Sequence, residues 1–267
     1  MPQTAIKICG LQSVEVIKSI LPLQVDMIGF VFAASRRQVQ PSAVRQMLAA
    51  VKEWGSLNKE LRQPKAVGVF VNPSLEELGS VLREAELDVV QLHGQESPDF
   101  CRRVKEQFSV EVIKVLSMKK GNDTEPAESG YQADNSSEPT QGHQTHQADQ
   151  AHQTNQAHQT SQAEKLLQPY LGAVDAVLLD TYDPIYGGGS GVAFDWTLIR
   201  PYQDWAQARQ LPLMIAGGLN EENVGRLVSG YLPDGVDVSS GVERNGVKDT
   251  ALIKAFVERV RDYDDKE

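Results

Sequence analysis

Short β-rich apolar runs alternate with amphipathic stretches along most of this chain, and that alternation narrows the fold more than any other feature. Parallel strands joined by crossover helices produce such a pattern. Eight units are present, with strands expected at Ala5–Cys9, Met27–Phe32, Ala66–Val71, Val89–Leu92, Glu111–Leu116, Ala176–Asp180, Pro212–Ala216 and Val236–Ser239. Helix starts agree: Ser13, Ser74 and Ser97 sit where caps belong, and Pro41 suits a first turn. In the last unit Leu252, Ile253, Phe256, Val257 and Val260 recur at helical spacing, so Lys254, Glu258 and Arg261 are expected to face water. No dinucleotide fingerprint follows the first strand, which favours a closed (β/α)8 TIM barrel over an open doubly wound sheet.

One stretch breaks the pattern. Between Lys119 and Glu164 there is no Val, Ile, Leu, Met, Phe or Trp, and Gln, His, Thr and Ala recur around His146, His152 and His158. Such a composition cannot offset its ordering entropy, so a disordered, low-complexity insertion after the fifth strand is expected at about 119–164. About 220 residues remain, enough for a single barrel domain, which needs at least ~200. The expected organisation is therefore one domain over 1–267, interrupted by that segment.

The formal net charge is −10, and six acidic residues without a Lys or Arg lie between Gly121 and Ala163. That balance disfavours a nucleic-acid partner bound through a basic face. A small anion is still compatible, because a local Arg or a helix N-terminus creates positive potential inside an acidic protein. With two distant cysteines, Cys9 and Cys101, and no run of eighteen apolar residues, the chain is expected to be cytoplasmic, with free thiols and no membrane association.

In barrels of this kind the chemistry gathers at the C-terminal ends of strands. Cys9 ends the first strand and shares a side with Lys7, so its thiol is either a base or nucleophile at the mouth or a small buried hydrophobe. Cys101, on a helix, reads as buried structure. Asp180 closes the buried run Ala176–Leu179, a placement suited to a general acid, though a turn-forming Asp is the alternative. The glycine run Tyr186–Gly191 lacks the ending of a nucleotide loop. Gly217 and Gly218 after the seventh strand, with Ser240 and Gly241 after the eighth, fit a phosphate cradle, and Asn220 is placed to cap the following helix. Arg36 or Arg37 is able to hold a carboxylate by a bidentate pair, while Gln91 and His93 share a face near the fourth strand's end. The four remaining histidines lie in the insertion without the rigid geometry of a metal site.

Taken in order, these motifs form a familiar series. Lys7-Ile8-Cys9-Gly10, Gly29–Phe32 with Ser35-Arg36-Arg37, Gln91-Leu92-His93-Gly94, Leu179-Asp180-Thr181 with Gly187-Gly188, Phe194-Asp195-Trp196, Ala216–Leu219 and Asp237–Glu243 resemble the phosphoribosylanthranilate isomerase family in order and spacing. The resemblance spans the chain except 119–164. It implies a cofactor-free Amadori rearrangement of phosphoribosylanthranilate in tryptophan biosynthesis, with no metal required. Cys9 would be the general base and Asp180 the general acid. Arg37 would hold the anthranilate carboxylate, because the family motif reads Ser, any residue, Arg, and Arg36 fills the variable place. Gln91 and His93 would line the substrate site, and Gly217, Gly218, Ser240 and Gly241 would take the phosphate.

Two alternatives stand beside this one. Another phosphate-binding barrel, an epimerase or a bifunctional isomerase, would need metal ligands at several strand ends or an Asp in place of Cys9. A catalytically silent ligand-binding barrel would have no use for an acid-base pair.

Overall fold

The computed structural model describes residues 3–118, 162–181 and 196–264. Tyr186–Gly191, Phe194, Asp195 and most of the low-complexity segment lie outside the described residues. Eight parallel strands close in sequence order into a barrel: β1 (Ala5–Cys9), β2 (Met27–Val31), β3 (Lys65–Phe70), β4 (Val89–Leu92), β5 (Glu111–Met118), β6 (Ala176–Thr181), β7 (Leu213–Ile215) and β8 (Gly235–Val238). Closure is made by β1 against β8, with Lys7 opposite Asp237. Strand ends depart from expectation by a residue or two, chiefly at β5, which runs on to Met118.

Around the barrel stand α1 (Val14–Ile20), α2 (Pro41–Leu57), α3 (Leu75–Glu84), α4 (Pro98–Phe108), α5 (162–167), α6 (Ile199–Ala208), α7 (Val224–Tyr231) and α8 (Thr250–Asp264). Their caps follow local chemistry. Ser13, Ser74 and Ser97 accept from Val16, Glu77 and Phe100 amides at 3.3, 3.1 and 3.2 Å, and Glu77 returns the bond to make a capping box. Pro41 occupies the first turn of α2.

Strand alternation divides the core in two. Ile6, Ile8, Val90, Leu92, Val177, Leu179, Val236 and Val238 face the helices, whereas Val67, Val89, Ile113, Val115, Leu178, Met214 and Ala216 fill the barrel. An aspartate just before each even-numbered strand fixes this register. The carboxylates of Asp26, Asp88, Asp175 and Asp234 accept from the amides of Ile6, Ala66, Val112 and Leu213 at 2.7, 2.7, 2.7 and 2.8 Å. Each thereby satisfies an amide at the start of the preceding strand, where the ladder has no partner to offer.

Two expectations are corrected here. Arg261 does not face water: its side chain is 19% exposed, and its guanidinium donates to Thr4 O at 2.6 Å, Asp26 at 2.9 Å and Asp264 at 3.0 Å. Helical spacing predicts which side a residue takes, but its long stem lets the charged end reach the chain start and the clasp below β2. The low-complexity segment also ends earlier than 164. Residues 162–167 are helical, and Ala163 is buried with Leu167, because alanine packs closely beneath a helix although it adds little to apolar periodicity.

That boundary defines a clean excision. Replacing residues 121–161 by a short Gly/Ser linker removes no large apolar side chain except Tyr131, and loop-closure entropy changes by about 0.6 kcal/mol per doubling of length. The shortened chain should melt within a few degrees of the full one in calorimetry. A cut that extends through Leu167 should instead cost about 2–5 kcal/mol, the scale of a lost core side chain.

Candidate active site

Cys9 and Asp180 are the terminal inward-facing residues of β1 and β6. Cys9 alternates with Ile8, which packs against the helices, and Asp180 stands two residues after Leu178, which fills the barrel. Both are buried, at 7% and 6% exposure. They therefore lie at the C-terminal mouth, shielded from bulk water but next to the loops.

Beneath Cys9 is a buried ion pair. Lys7 Nζ donates to Asp237 Oδ1 at 2.9 Å, joining β1 and β8 inside the barrel. Burial opposes the Lys7 charge, but Asp237 and Cys9 outweigh it and hold the ammonium above its usual range. For Cys9 the balance runs the other way. Burial pushes the thiol up, and the nearby Lys7 only partly counters it. Gly29 on β2 keeps space for this group, since a Cβ there would stand 3.0 Å from Cys9 Sγ and 3.2 Å from Lys7 Nζ.

Across the mouth, His93 Nε2 lies 3.4 Å from Asp180 Oδ2, within ion-pair range but outside hydrogen-bond geometry. Gln91 follows Val89 on the interior face, and its buried Oε1 has no hydrogen-bond partner among the described residues. These atoms form a polar lining able to meet a polar ligand. The loop that bears His93 is held from behind by Lys114. Its buried Nζ donates to Leu92 O, Gly94 O and Glu96 Oε2 at 3.2, 2.7 and 2.8 Å, while Glu96 also receives the Asn72 amide at 2.7 Å. Breaking such a pair leaves a buried charge uncompensated.

The glycines expected to take a phosphate lie in two touching loops. Gly217 and Gly218 have φ of +89° and +65°, a conformation that favours glycine, and a Cβ on Gly241 would stand 1.8 Å from Leu219 O. Ser240 and Gly241 form a short 3-10 turn after β8. Asn220 does not cap α7 directly, as its side chain accepts from Glu222 and Asn223 amides at 3.0 Å in the turn before the helix. Asn223 takes the N-cap position and ties back to Gly218 O at 2.8 Å. The Asn220 side chain is spent on this turn, so the helix starts three residues later.

Arg37 is half-buried and lies over Gly10, whose φ is +80°; a Cβ on Gly10 would stand 2.6 Å from Arg37 Cδ. Its Nε and Nη2 donate to Glu243 at 2.7 and 3.2 Å. Arg36, exposed, reaches the same carboxylate at 2.6 Å, and Lys248 reaches it at 2.7 Å. Glu243 and Lys248 belong to a hairpin of β9 (Glu243–Arg244) and β10 (Val247–Lys248). Sequence reasoning missed Asp237, Glu243, Lys248 and Lys114 as parts of the site. Asp237 alternates with outward Val236 and Val238, so period-two reading of β8 was the signal for it. The others were missed because Lys114 meets Glu96 and Glu243 meets Arg37 only across separate loops, and the Glu243–Lys248 pair lies in a short hairpin that apolar periodicity does not mark.

Cys101 is absent from the mouth; it is fully buried in α4, and burial pushes its thiol up to about 11. A cavity of about 920 Å³ opens at the opposite end of the barrel, lined by Thr4, Pro212, Tyr231 and Asp234 among others, away from the strand ends that deliver Cys9 and Asp180.

Comparison with known proteins places the chain in a family. The profile of the family described as N-(5'phosphoribosyl)anthranilate (PRA) isomerase matches residues 6–138 and 136–259. The N-(5'-phosphoribosyl)anthranilate isomerase of Brevibacillus brevis is 41% identical over 261 residues, 98% of this chain and 95% of its own. The crystal structure of phosphoribosyl anthranilate isomerase from Thermotoga maritima is similar with a TM-score of 0.66 at 30% identity, covering 97% of this chain and all of that one. Another isomerase structure, in complex with reduced 1-(o-carboxyphenylamino)-1-deoxyribulose 5-phosphate, gives 0.63 at 29% identity, with coverage of 97% and 100%. The chain belongs to the phosphoribosylanthranilate isomerase family.

Proposed function

We propose that this chain converts N-(5'-phosphoribosyl)anthranilate to 1-(o-carboxyphenylamino)-1-deoxyribulose 5-phosphate, the isomerisation step of tryptophan biosynthesis, with Cys9 as general base and Asp180 as general acid. The observation that carries this reading is a buried thiol and a buried carboxyl ending two strands on the interior face of a barrel from this family. Asp180 donates a proton to the furanose ring oxygen as the bond to sugar carbon 1 breaks, giving a protonated Schiff base. Cys9 removes the proton from carbon 2; the resulting enolamine tautomerises to the ketone. His93 beside Asp180 and the unpartnered Gln91 Oε1 line the sugar's path. Gly217, Gly218, Ser240 and Gly241 receive the phosphate through closely approaching backbone, and Arg37 receives the anthranilate carboxylate. Holding both ends leaves the reacting carbons between acid and base. The free buried thiols fit a reducing cytoplasm.

Loss of fluorescence of fresh phosphoribosylanthranilate measures the reaction directly. Cys9→Ala and Asp180→Asn should each fold and bind the reduced product analogue while losing about two orders of magnitude or more in kcat. Near-normal turnover in either folded variant refutes that residue's role.

The raised Cys9 thiol sets a pH dependence. Only the thiolate accepts a proton, and burial holds its pKa above the ordinary value, so kcat/KM should still be rising at pH about 8.5. A plateau reached below pH 8 would contradict this environment for the base.

Arg37→Ala should raise KM about tenfold or more, the scale of a charge-assisted pair, whereas exposed Arg36→Ala should raise it less than about threefold. The reverse order would move the carboxylate clamp to Arg36.

A further inference from the structure

The carboxylate of Glu243 takes no part in the proton transfers above, yet it is among the most constrained groups at the mouth. Its side chain is 4% exposed and is met by three cations: Arg37 through Nε and Nη2, Arg36 at 2.6 Å and Lys248 at 2.7 Å. Among the described residues two of those positive charges have no opposite charge within the cluster, in a chain whose net charge is −10. Positive charge held partly out of water calls for a further anion.

The hydrogen bonds to Glu243 leave one guanidinium nitrogen of Arg37 for such an anion. A bidentate pair fixes the plane of the Arg37 guanidinium and leaves Nη1 outside it, while Gly10 supplies the floor under the stem. A free arginine would have to surrender its rotamer entropy when a ligand arrives; this one has already done so. Lys248 has a second duty. Its Nζ, in a side chain 5% exposed, neutralises the Glu243 charge that would otherwise repel an incoming carboxylate. It also donates to Ser239 O at 2.8 Å, and Ser239 Oγ donates to Cys9 O at 3.2 Å. The cluster is thus tied to the backbone of the base.

Resting on the assignment of Arg37 to the substrate carboxylate, we propose that Glu243 is the positioning residue for that recognition. By clamping Arg37 from one side, with Lys248 as its neutralising partner, it aims Nη1 at an aryl carboxylate and makes the site select carboxylated over unsubstituted arylamine sugars.

Titration calorimetry of wild type and Glu243→Gln with reduced 1-(o-carboxyphenylamino)-1-deoxyribulose 5-phosphate, and with its phenylamino counterpart lacking the carboxyl group, tests this. Wild type should prefer the carboxylated ligand by about tenfold or more. Glu243→Gln should weaken that ligand about fivefold or more, leave the phenylamino ligand within about twofold, and raise KM more than it lowers kcat. Equal weakening of both ligands, or an undiminished preference, overturns the proposal. If wild type shows no preference, the Arg37 assignment fails, and the inference falls with it; turnover of phosphoribosylanthranilate in the same preparation shows separately whether the isomerase reading stands. Should Glu243→Gln not fold, Glu243→Asp decides: it keeps the charge but withdraws the carboxylate by one methylene, so a wild-type preference in that variant overturns the proposal.

Discussion

Everything at the mouth depends on strand register. In a parallel barrel a slip of one residue would exchange interior and exterior faces, sending Cys9, Asp180, Gln91 and Asp237 outward among the helices. The aspartates before β2, β4, β6 and β8 oppose such a slip. Each carboxylate binds one particular amide of the preceding strand, and a charge-assisted bond to a backbone N–H is not recovered after a shift. They stand at the N-terminal end of the strands, where no chemistry is assigned, and secure positions at the other end of the same strands.

The second constraint is electrostatic. Lys7 and Lys114 are fully or almost fully buried, a placement that costs several kcal/mol unless each finds an opposite charge. Lys7 spans the barrel seam to Asp237, and Lys114 ties β5 to the loop after β4 through Glu96. The Glu243 cluster adds a third junction, joining the loops after β1, β2 and β8. Loops are the least constrained parts of a barrel, and these pairs hold the ones that carry polar groups. Among the described residues the Glu243 cluster joins three cations to one carboxylate, in a chain whose formal net charge is −10.

Much was legible from residue order alone. Short β-rich apolar runs identified the strands, Ser and Pro marked helix starts, and Cys9 and Asp180 stood out because each ends an apolar run with a group capable of proton transfer. Gly217, Gly218 and Gly241 were legible because glycine is the residue that tolerates left-handed backbone or a close carbonyl. Arg261 and Ala163 were misread. A helical wheel says nothing of where a long side chain ends, and alanine is apolar enough to be buried while too small to mark a face.

By itself, then, the sequence determined the element types, the barrel class and the chemical character of each strand end, because these follow from backbone geometry and side-chain periodicity within about ten residues. Tertiary structure alone decided the partners. Lys7 meets Asp237, Arg37 meets Glu243 and Lys114 meets Glu96 across loops and strands that only barrel closure brings together. Ion pairs act over a few ångströms of space and leave no trace in local pattern, so which charge faces which, and therefore what surrounds Cys9 and Arg37, exists only once the chain has closed on itself.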